Sequence, residues 1–283
     1  MRRHPDWLKV RIGGGESYVK MKSLLREAKL HTICEEAKCP NIAECFSSGT
    51  AVFLILGDIC TRDCKYCYVK HGKPSKINID EPKDVAESVR RLGLKYVVIT
   101  SVTRDDLEDG GADIFHKTIK EIRKLNPNTV IEVLIPDFNG NIASLNKVCE
   151  AKPDVINHNI EVVKILFEDI RPQGDYENSL KILNEIKIID KDIKTKSGFM
   201  VGFGETKKQI LKTMKDLRNS NVDFLTIGQY LQPSKDHIEI RKYYNPKEFE
   251  QFKKTAIDMG FKHVESGPLV RSSYHAEKAF KLK

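Results

Sequence analysis

The feature that most constrains this chain is an alternation between two hydrophobic periods. Six short runs rich in β-branched and apolar residues read as strands: AVFLILGD (51–58), KYVVITS (95–101), TVIEVLI (129–135), DVINHN (154–159), KTKSGFMVG (194–202) and DFLTIGQYL (223–231). Between them lie stretches with apolar residues at helical spacing. In 81–93 these are Val85, Val89 and Leu92; in 112–126 they are Ile114, Phe115, Ile119, Ile122 and Leu125; 205–220 repeats the pattern. Strands that alternate with helices are joined by crossovers, so they run parallel. Right-handed crossovers wind such a sheet toward a barrel, and six units fall short of the eight that close one. The expected fold class is α/β, a partial (β/α)6 TIM-like barrel. Residues 1–50 and 261–283 fall outside the six units of 51–260. They are expected to form N-terminal and C-terminal extensions that cover the mouth.

The chain has 283 residues, 40% of them apolar, enough for a sizeable core. No apolar run reaches membrane-spanning length. The basic start, MRRHPDWLKVRIGGG, lacks the apolar segment of a secretory signal, and Asp6 and its shortness argue against a transit peptide. A cytoplasmic protein without a membrane partner is expected. The net charge of +8 is spread along the chain among Glu and Asp, so most lysines are expected on solvated helix faces. No fixed repeat or interdomain linker stands out.

Six of the seven cysteines fall in two groups, CEEAKCPNIAEC (Cys34, Cys39, Cys45) and CTRDCKYC (Cys60, Cys64, Cys67). An odd count in tight groups does not describe a secreted disulfide framework. The seventh, Cys149 in LNKVCEA, reads as a small core residue on a helix. Zinc motifs typically separate two cysteine pairs by a longer stretch. Three cysteines within eight residues instead suit one corner of a four-iron cube, with the fourth iron open to a chelating amine and carboxylate. S-adenosylmethionine (SAM) offers both groups. The CTRDCKYC loop follows the first strand, at the end of the sheet where α/β folds gather their chemistry. With Tyr66 between its last two cysteines, the loop resembles that of the radical SAM superfamily. The resemblance implies one-electron cleavage of SAM to methionine and a 5′-deoxyadenosyl radical, with the protein orienting the cofactor and excluding water. A zinc loop in a non-enzymatic interaction module is the competing reading.

Eight segments in order along nearly the whole chain resemble the lipoyl synthase family: WLKVR, CEEAKCPNIAEC, GDICTRDCKYC, ITSVTRDDLEDGGA, EVLIPDFNG, GFMVGFGET, LTIGQYLQPS and GPLVRSSYHA. Val162 in HNIEVV departs from the Thr expected of the family. The resemblance implies two 4Fe-4S clusters and SAM as cofactors. It gives the SAM cluster to Cys60, Cys64 and Cys67, and an auxiliary cluster to Cys34, Cys39, Cys45 and Ser273, with Ser272 as the lesser candidate. An alkoxide is a hard ligand for this iron, so Ser273 is expected to let go when its iron leaves. The implied reaction inserts two sulfurs, at C6 and C8 of a protein-bound octanoyl-lysine, with the auxiliary cluster as donor. The implied partners are octanoylated carrier proteins (2-oxoacid dehydrogenase E2 lipoyl domains and the glycine cleavage H protein) and a flavodoxin or ferredoxin as electron donor. A monomer that binds no nucleic acid is expected.

Polar residues at strand ends supply further candidates. Thr100 and Ser101 follow the second strand; Asn157, Asn159 and Glu161 follow the fourth. With Tyr66 and Arg171, which can grip a carboxylate bidentately, Thr100, Ser101, Asn159 and Glu161 are the candidate SAM contacts. The acidic RDDLEDGGAD (104–113) reads equally as a helix-capping loop and as part of the site. His71, His158 and His275 read as structural. A tRNA methylthiotransferase, which also carries two clusters, is the alternative enzyme; its RNA-binding domain would have no residues left to build it.

Overall fold

The computed structural model describes residues 5–9, 15–27, 30–37, 39–47 and 52–280. WLKVR runs past residue 9, and Lys38 of the first cysteine segment and Ala51 of the first strand run also lie outside the described residues. The chain divides into two compact units. The first comprises Arg11–Arg62 and Tyr68–Ile156; the second comprises Asn157–Lys283 with Met1–Val10 and Asp63–Cys67.

The first unit contains α1 (Glu16–Glu27), β1 (His31–Thr32), α2 (Ile33–Glu36), α3 (Ile42–Ser47), β2 (Val52–Ile55), β3 (Ile59–Cys60), β4 (Lys70–His71), α4 (Glu81–Leu92), β5 (Tyr96–Ser101), α5 (Ala112–Leu125), β6 (Val130–Leu134), α6 (Ile142–Glu150) and most of β7 (Val155–Asn157). Strands β2, β5 and β6 pair in parallel, with Leu54 opposite Thr100 and Thr100 opposite Leu134. All four residues of β2 are buried, as expected where helices cover both faces of a parallel sheet. The short β1 pairs antiparallel with β2. Helix α4 ends on Gly93 in the left-handed region, φ 61°. Asp109 caps the start of α5, its carboxylate accepting from the Gly111 and Asp113 N–H groups at 2.9 and 2.8 Å. The α5 stripe of Ile114, Phe115, Ile119 and Ile122 is buried, and Cys149 is buried on α6.

The second unit adds α7 (Phe167–Ile170), α8 (Tyr176–Ile189), β8 (Lys194–Val201), α9 (Lys207–Asn219), β9 (Phe224–Gln229), α10 (Pro246–Asp258) and β10 (His263–Gly267). Strands β8, β9 and β10 pair in parallel, Phe224 lying opposite both Lys196 and His263. Helices α9 and α10 each open on a capping box, Thr206 with Gln209 and Asn245 with Glu248, which fixes where the chain turns back over the sheet. Their apolar faces pack on a core that includes Phe199, Phe203, Tyr230, Tyr244, Phe249 and Phe252. Val162 lies fully buried in the same core, so the Thr expected there is replaced by an apolar packing residue.

The chain is thus a mixed α/β protein with a mostly parallel, open sheet. All six strands read from the sequence form. Two further strands, β1 and β10, arise inside the segments read as extensions. β10 escapes sequence pattern because only Val264 in HVESG is a buried apolar residue. Among the described residues no helix is long and apolar enough to cross a membrane.

Candidate active site

After β2 the chain turns sharply. Leu56 and Gly57 both have positive φ, 69° and 92°, a costly conformation for Leu56. The Leu56 N–H donates to the buried Glu81 carboxylate at 2.8 Å, and its carbonyl accepts from Arg104 Nη1 at 3.1 Å. This turn delivers β3 and Cys60. The Cys60 Sγ accepts two backbone N–H groups, from Arg62 and from Thr103, each at 3.4 Å. The Thr61 N–H and hydroxyl both donate to the Thr103 carbonyl at 3.0 Å, tying the cysteine loop to the loop after β5.

Arg62, which no sequence pattern singles out, has a side chain only 2% exposed. Its guanidinium forks onto Asp105 at 2.7 and 3.0 Å and onto Asp137 at 2.7 Å twice, and donates to the Asn139 side chain at 2.6 Å. Burial works against its charge, but the bonds to Asp137 and Asp105 outweigh it and raise its pKa. Both readings of the acidic RDDLEDGGAD therefore hold in part: Asp109 caps a helix and Asp105 reaches the cysteine loop. The signal in the sequence was a lone arginine inside a cysteine loop, with acidic loops following two strands.

Cys64, Tyr66 and Cys67 belong to the second unit. There the Lys65 N–H donates to the Ile170 carbonyl at 3.0 Å, and the Lys65 carbonyl accepts from Ile238 N–H at 3.3 Å. The Cys67 carbonyl accepts from His237 Nε2 at 2.9 Å, while His237 Nδ1 lies 2.8 Å from the Ser234 hydroxyl. His237 is a second residue missed from sequence; the loop 231–245 gave no periodic signal. Tyr66 and Glu161 keep intermediate exposure. Burial raises the Tyr66 pKa, helped by the nearby Glu161 and Cys64 and opposed by Arg171. Burial also raises the Glu161 pKa, against the pull of Arg171 and a hydrogen bond from Asn159. Tyr66, Asn159, Glu161 and Arg171 are thus brought together.

Glu161 sits at φ 66°, held there by its N–H to the Gly198 carbonyl at 3.0 Å and its carbonyl to Met200 N–H at 2.8 Å. Arg171 Nη1 donates to the Asn159 carbonyl at 3.2 Å. Asn159 Oδ1 and Ser197 Oγ are buried with no hydrogen-bond partner among the described residues, which is costly unless a ligand or water meets them. Ser197 carries no sequence signal because it lies mid-strand, between Lys196 and Gly198, away from the strand ends. In the first unit Thr100 is buried and its hydroxyl donates to the Leu134 carbonyl at 3.0 Å, while Ser101 Oγ has no partner among the described residues. Gly202 in VGFGET has φ 121°, and a Cβ there would lie 2.2 Å from Gln229 Nε2. The room this glycine gives is filled by the chain's own Gln229.

The first trio is assembled by short local structure. Thr32 caps α2, its hydroxyl accepting the Glu35 N–H at 3.4 Å. Cys39 N–H then closes on the Cys34 carbonyl at 3.0 Å, and Cys45 N–H on the Asn41 carbonyl at 2.9 Å. Cys34 is buried, and burial together with neighbouring Cys39 and Cys45 pushes its thiol up to about 12. The three sulfurs are therefore close enough to feel one another. Such a thiol ionises when a cation is present to hold the charge, so loading this site releases protons. Ser272 and Ser273 stand half-buried in the turn before Ala276–Phe280, in the second unit. That tail lies against β9 at Gly228, where a Cβ would meet the Val270 carbonyl at 2.2 Å. His275 stacks on Tyr274 and approaches Lys278 at 2.9 Å; His158 is buried, and His71 lies in exposed β4.

None of the seven cysteines, all among the described residues, is in a disulfide. Two sets of three soft donors fit iron–sulfur clusters, whose ligands attach to separate irons. Among the described residues no group of three His, Cys, Asp or Glu side chains is arranged to hold a single metal ion.

Comparison with known proteins defines the class. The radical SAM superfamily model matches residues 54–217, and that of the N-terminal domain of lipoyl synthase matches residues 1–39. Among solved structures, methylornithine synthase aligns with a TM-score of 0.59 at 12% identity, over 89% of this chain and 76% of that one. Coproporphyrinogen III oxidase from Escherichia coli, described as a radical SAM enzyme, aligns with a TM-score of 0.54 at 13% identity, over 80% and 57%. These two likenesses show the fold.

Curated relatives narrow the class. Lipoyl synthase of Caldicellulosiruptor saccharolyticus is 54% identical over 280 residues, 99% of this chain and 98% of the relative. That of Geobacillus kaustophilus is 53% identical over 277 residues, 98% and 93%. The chain belongs to the lipoyl synthase family: a sulfur-inserting radical SAM enzyme using SAM and 4Fe-4S clusters.

Proposed function

We propose that Cys60, Cys64 and Cys67 hold the SAM-binding cluster and that Cys34, Cys39, Cys45 and Ser273 hold the auxiliary one. When bound, these groups supply a 5′-deoxyadenosyl radical for hydrogen removal at C6 and C8 of a carrier-bound octanoyl chain, and the sulfur that replaces each hydrogen. The chain's own residues bind and orient. Arg171 and Glu161 present opposite charges to SAM's carboxylate and amine, and Asn159 offers its buried carbonyl oxygen to a ligand donor. Tyr66, beside Glu161 and Arg171, keeps water from the bound cofactor. Thr100 and Ser101 bind another part of SAM. Ser273 serves as the ligand that dissociates when its iron departs. The observation that carries this reading is the contrast in setting between two cysteine trios, none of them in a disulfide, in a chain 54% identical to a lipoyl synthase.

In this reading residues 1–50 form the extension carrying the auxiliary cysteines, 51–260 the catalytic barrel, and 261–283 the extension supplying Ser273. The enzyme acts as a cytoplasmic monomer on E2 lipoyl domains and glycine cleavage H protein, with electrons from a flavodoxin or ferredoxin. Incubation of the cluster-loaded protein with SAM, reductant and an octanoylated carrier peptide tests it. The expected product is the peptide with two added sulfurs by mass. A peptide left unmodified while SAM is cleaved would overturn the assignment of substrate.

A further inference from the structure

We propose that Arg62 is a positioning residue that fixes the Cys60 thiolate and sets the reduction potential of the cluster it binds. This rests on the assignment of Cys60 to the SAM cluster. Arg62 joins three loops that leave successive strands. Its backbone N–H points at Cys60 Sγ at 3.4 Å, while its side chain grips Asp105 after β5 and Asp137 after β6. Asp105 follows Thr103 by two residues, and Thr103 provides the second N–H to the same sulfur at 3.4 Å. The Asp105 N–H donates to Thr61 Oγ1 at 3.1 Å, so the two loops are locked in register from both sides. Beyond β6, Phe138 and Asn139 take positive φ values of 47° and 49°, conformations a loop holds only when its surroundings over-determine them. Asn139 is bound on both faces, its N–H to Asp137 Oδ1 at 3.0 Å and its Nδ2 to Asp105 Oδ1 at 2.9 Å.

The network matters because N–H donors to cluster sulfurs are one lever on reduction potential. Each donor stabilises the more negative, reduced state and so raises the potential. Arg62 holds both donors in place through a planar fork that lysine cannot reproduce.

The test is an EPR-monitored redox titration of the cluster-loaded full chain. Arg62→Lys keeps the charge and loses the fork. The expected result is a more negative potential, with the ratio of reduced to oxidised cluster falling about tenfold at a fixed potential, or about 59 mV for one electron. An unchanged potential in loaded Arg62→Lys would overturn the proposal. Asp105→Asn covers the case in which that variant does not fold or load, since Asp105 lies at the rim, 29% exposed. Removing a negative charge alone would raise the potential; loosening the clamp lowers it. A fall supports the proposal, and a rise or no change overturns it. Cys60→Ala tests the underlying assignment separately: if iron content and EPR signals match those of the parent chain, Cys60 holds no cluster.

Discussion

The two cysteine trios differ in how they are held. At the first, bonds between near neighbours in sequence join Cys39 to Cys34 and Cys45 to Asn41, and an N–H from Val52 in β2 reaches Cys34. The second is set by partners far along the chain: Thr61 to Thr103, Arg62 to Asp105 and Asp137, Lys65 to Ile170 and Ile238, and Cys67 to His237. Segments joined by bonds between near neighbours open at a smaller free-energy cost than segments joined to distant parts of a fold. The contrast matches a chemistry in which one cluster must return intact after each SAM cleavage and the other gives up its sulfur.

Four substitutions test this contrast. The largest effect is expected of Cys60→Ala: 5′-deoxyadenosine formation is lost, and iron falls from roughly eight to roughly four per chain, as for one four-iron cluster of two. Full SAM cleavage by this variant would remove the second trio from catalysis. Ser273→Ala is expected to separate the two halves of the reaction, keeping SAM cleavage while losing dithiolated peptide by mass spectrometry. Wild-type product formation would show that Ser273 has no role. Asp137→Ala leaves a buried guanidinium with one carboxylate instead of two, so the apo protein is expected to lose roughly 3 kcal/mol in urea unfolding. A loss below about 1 kcal/mol would mean that solvent already reaches Arg62. Cys149→Ala, on α6 and away from both trios in sequence, is expected to cost about 1 kcal/mol and to leave iron content and turnover unchanged. Any loss of iron there would add a seventh thiol to the account.

Much of this was legible in the sequence, for identifiable reasons. The core strands announced themselves because parallel strands covered on both faces are continuous apolar runs, as VFLI at 52–55 and YVVIT at 96–100 are. The cysteine groups stood out because ligand spacing is local. Strand β10 was hidden because a strand at the end of a sheet with mixed burial carries little pattern. Arg62 and His237 were hidden for another reason: their partners lie up to 75 and 170 residues away, and spacing along a chain cannot reveal which loops a sheet brings together. Glu161 was named as a polar residue at a strand end, but its positive φ and its grouping with Tyr66 and Arg171 belong to the fold.

Iron counted before and after a single turnover with octanoylated peptide tests the central contrast most directly. Loss of roughly four irons is expected for each peptide that gains two sulfurs, while the EPR signal that depends on Cys60, Cys64 and Cys67 persists. Product formed with all iron retained, or with the loss falling on the cluster of the second trio, would contradict it.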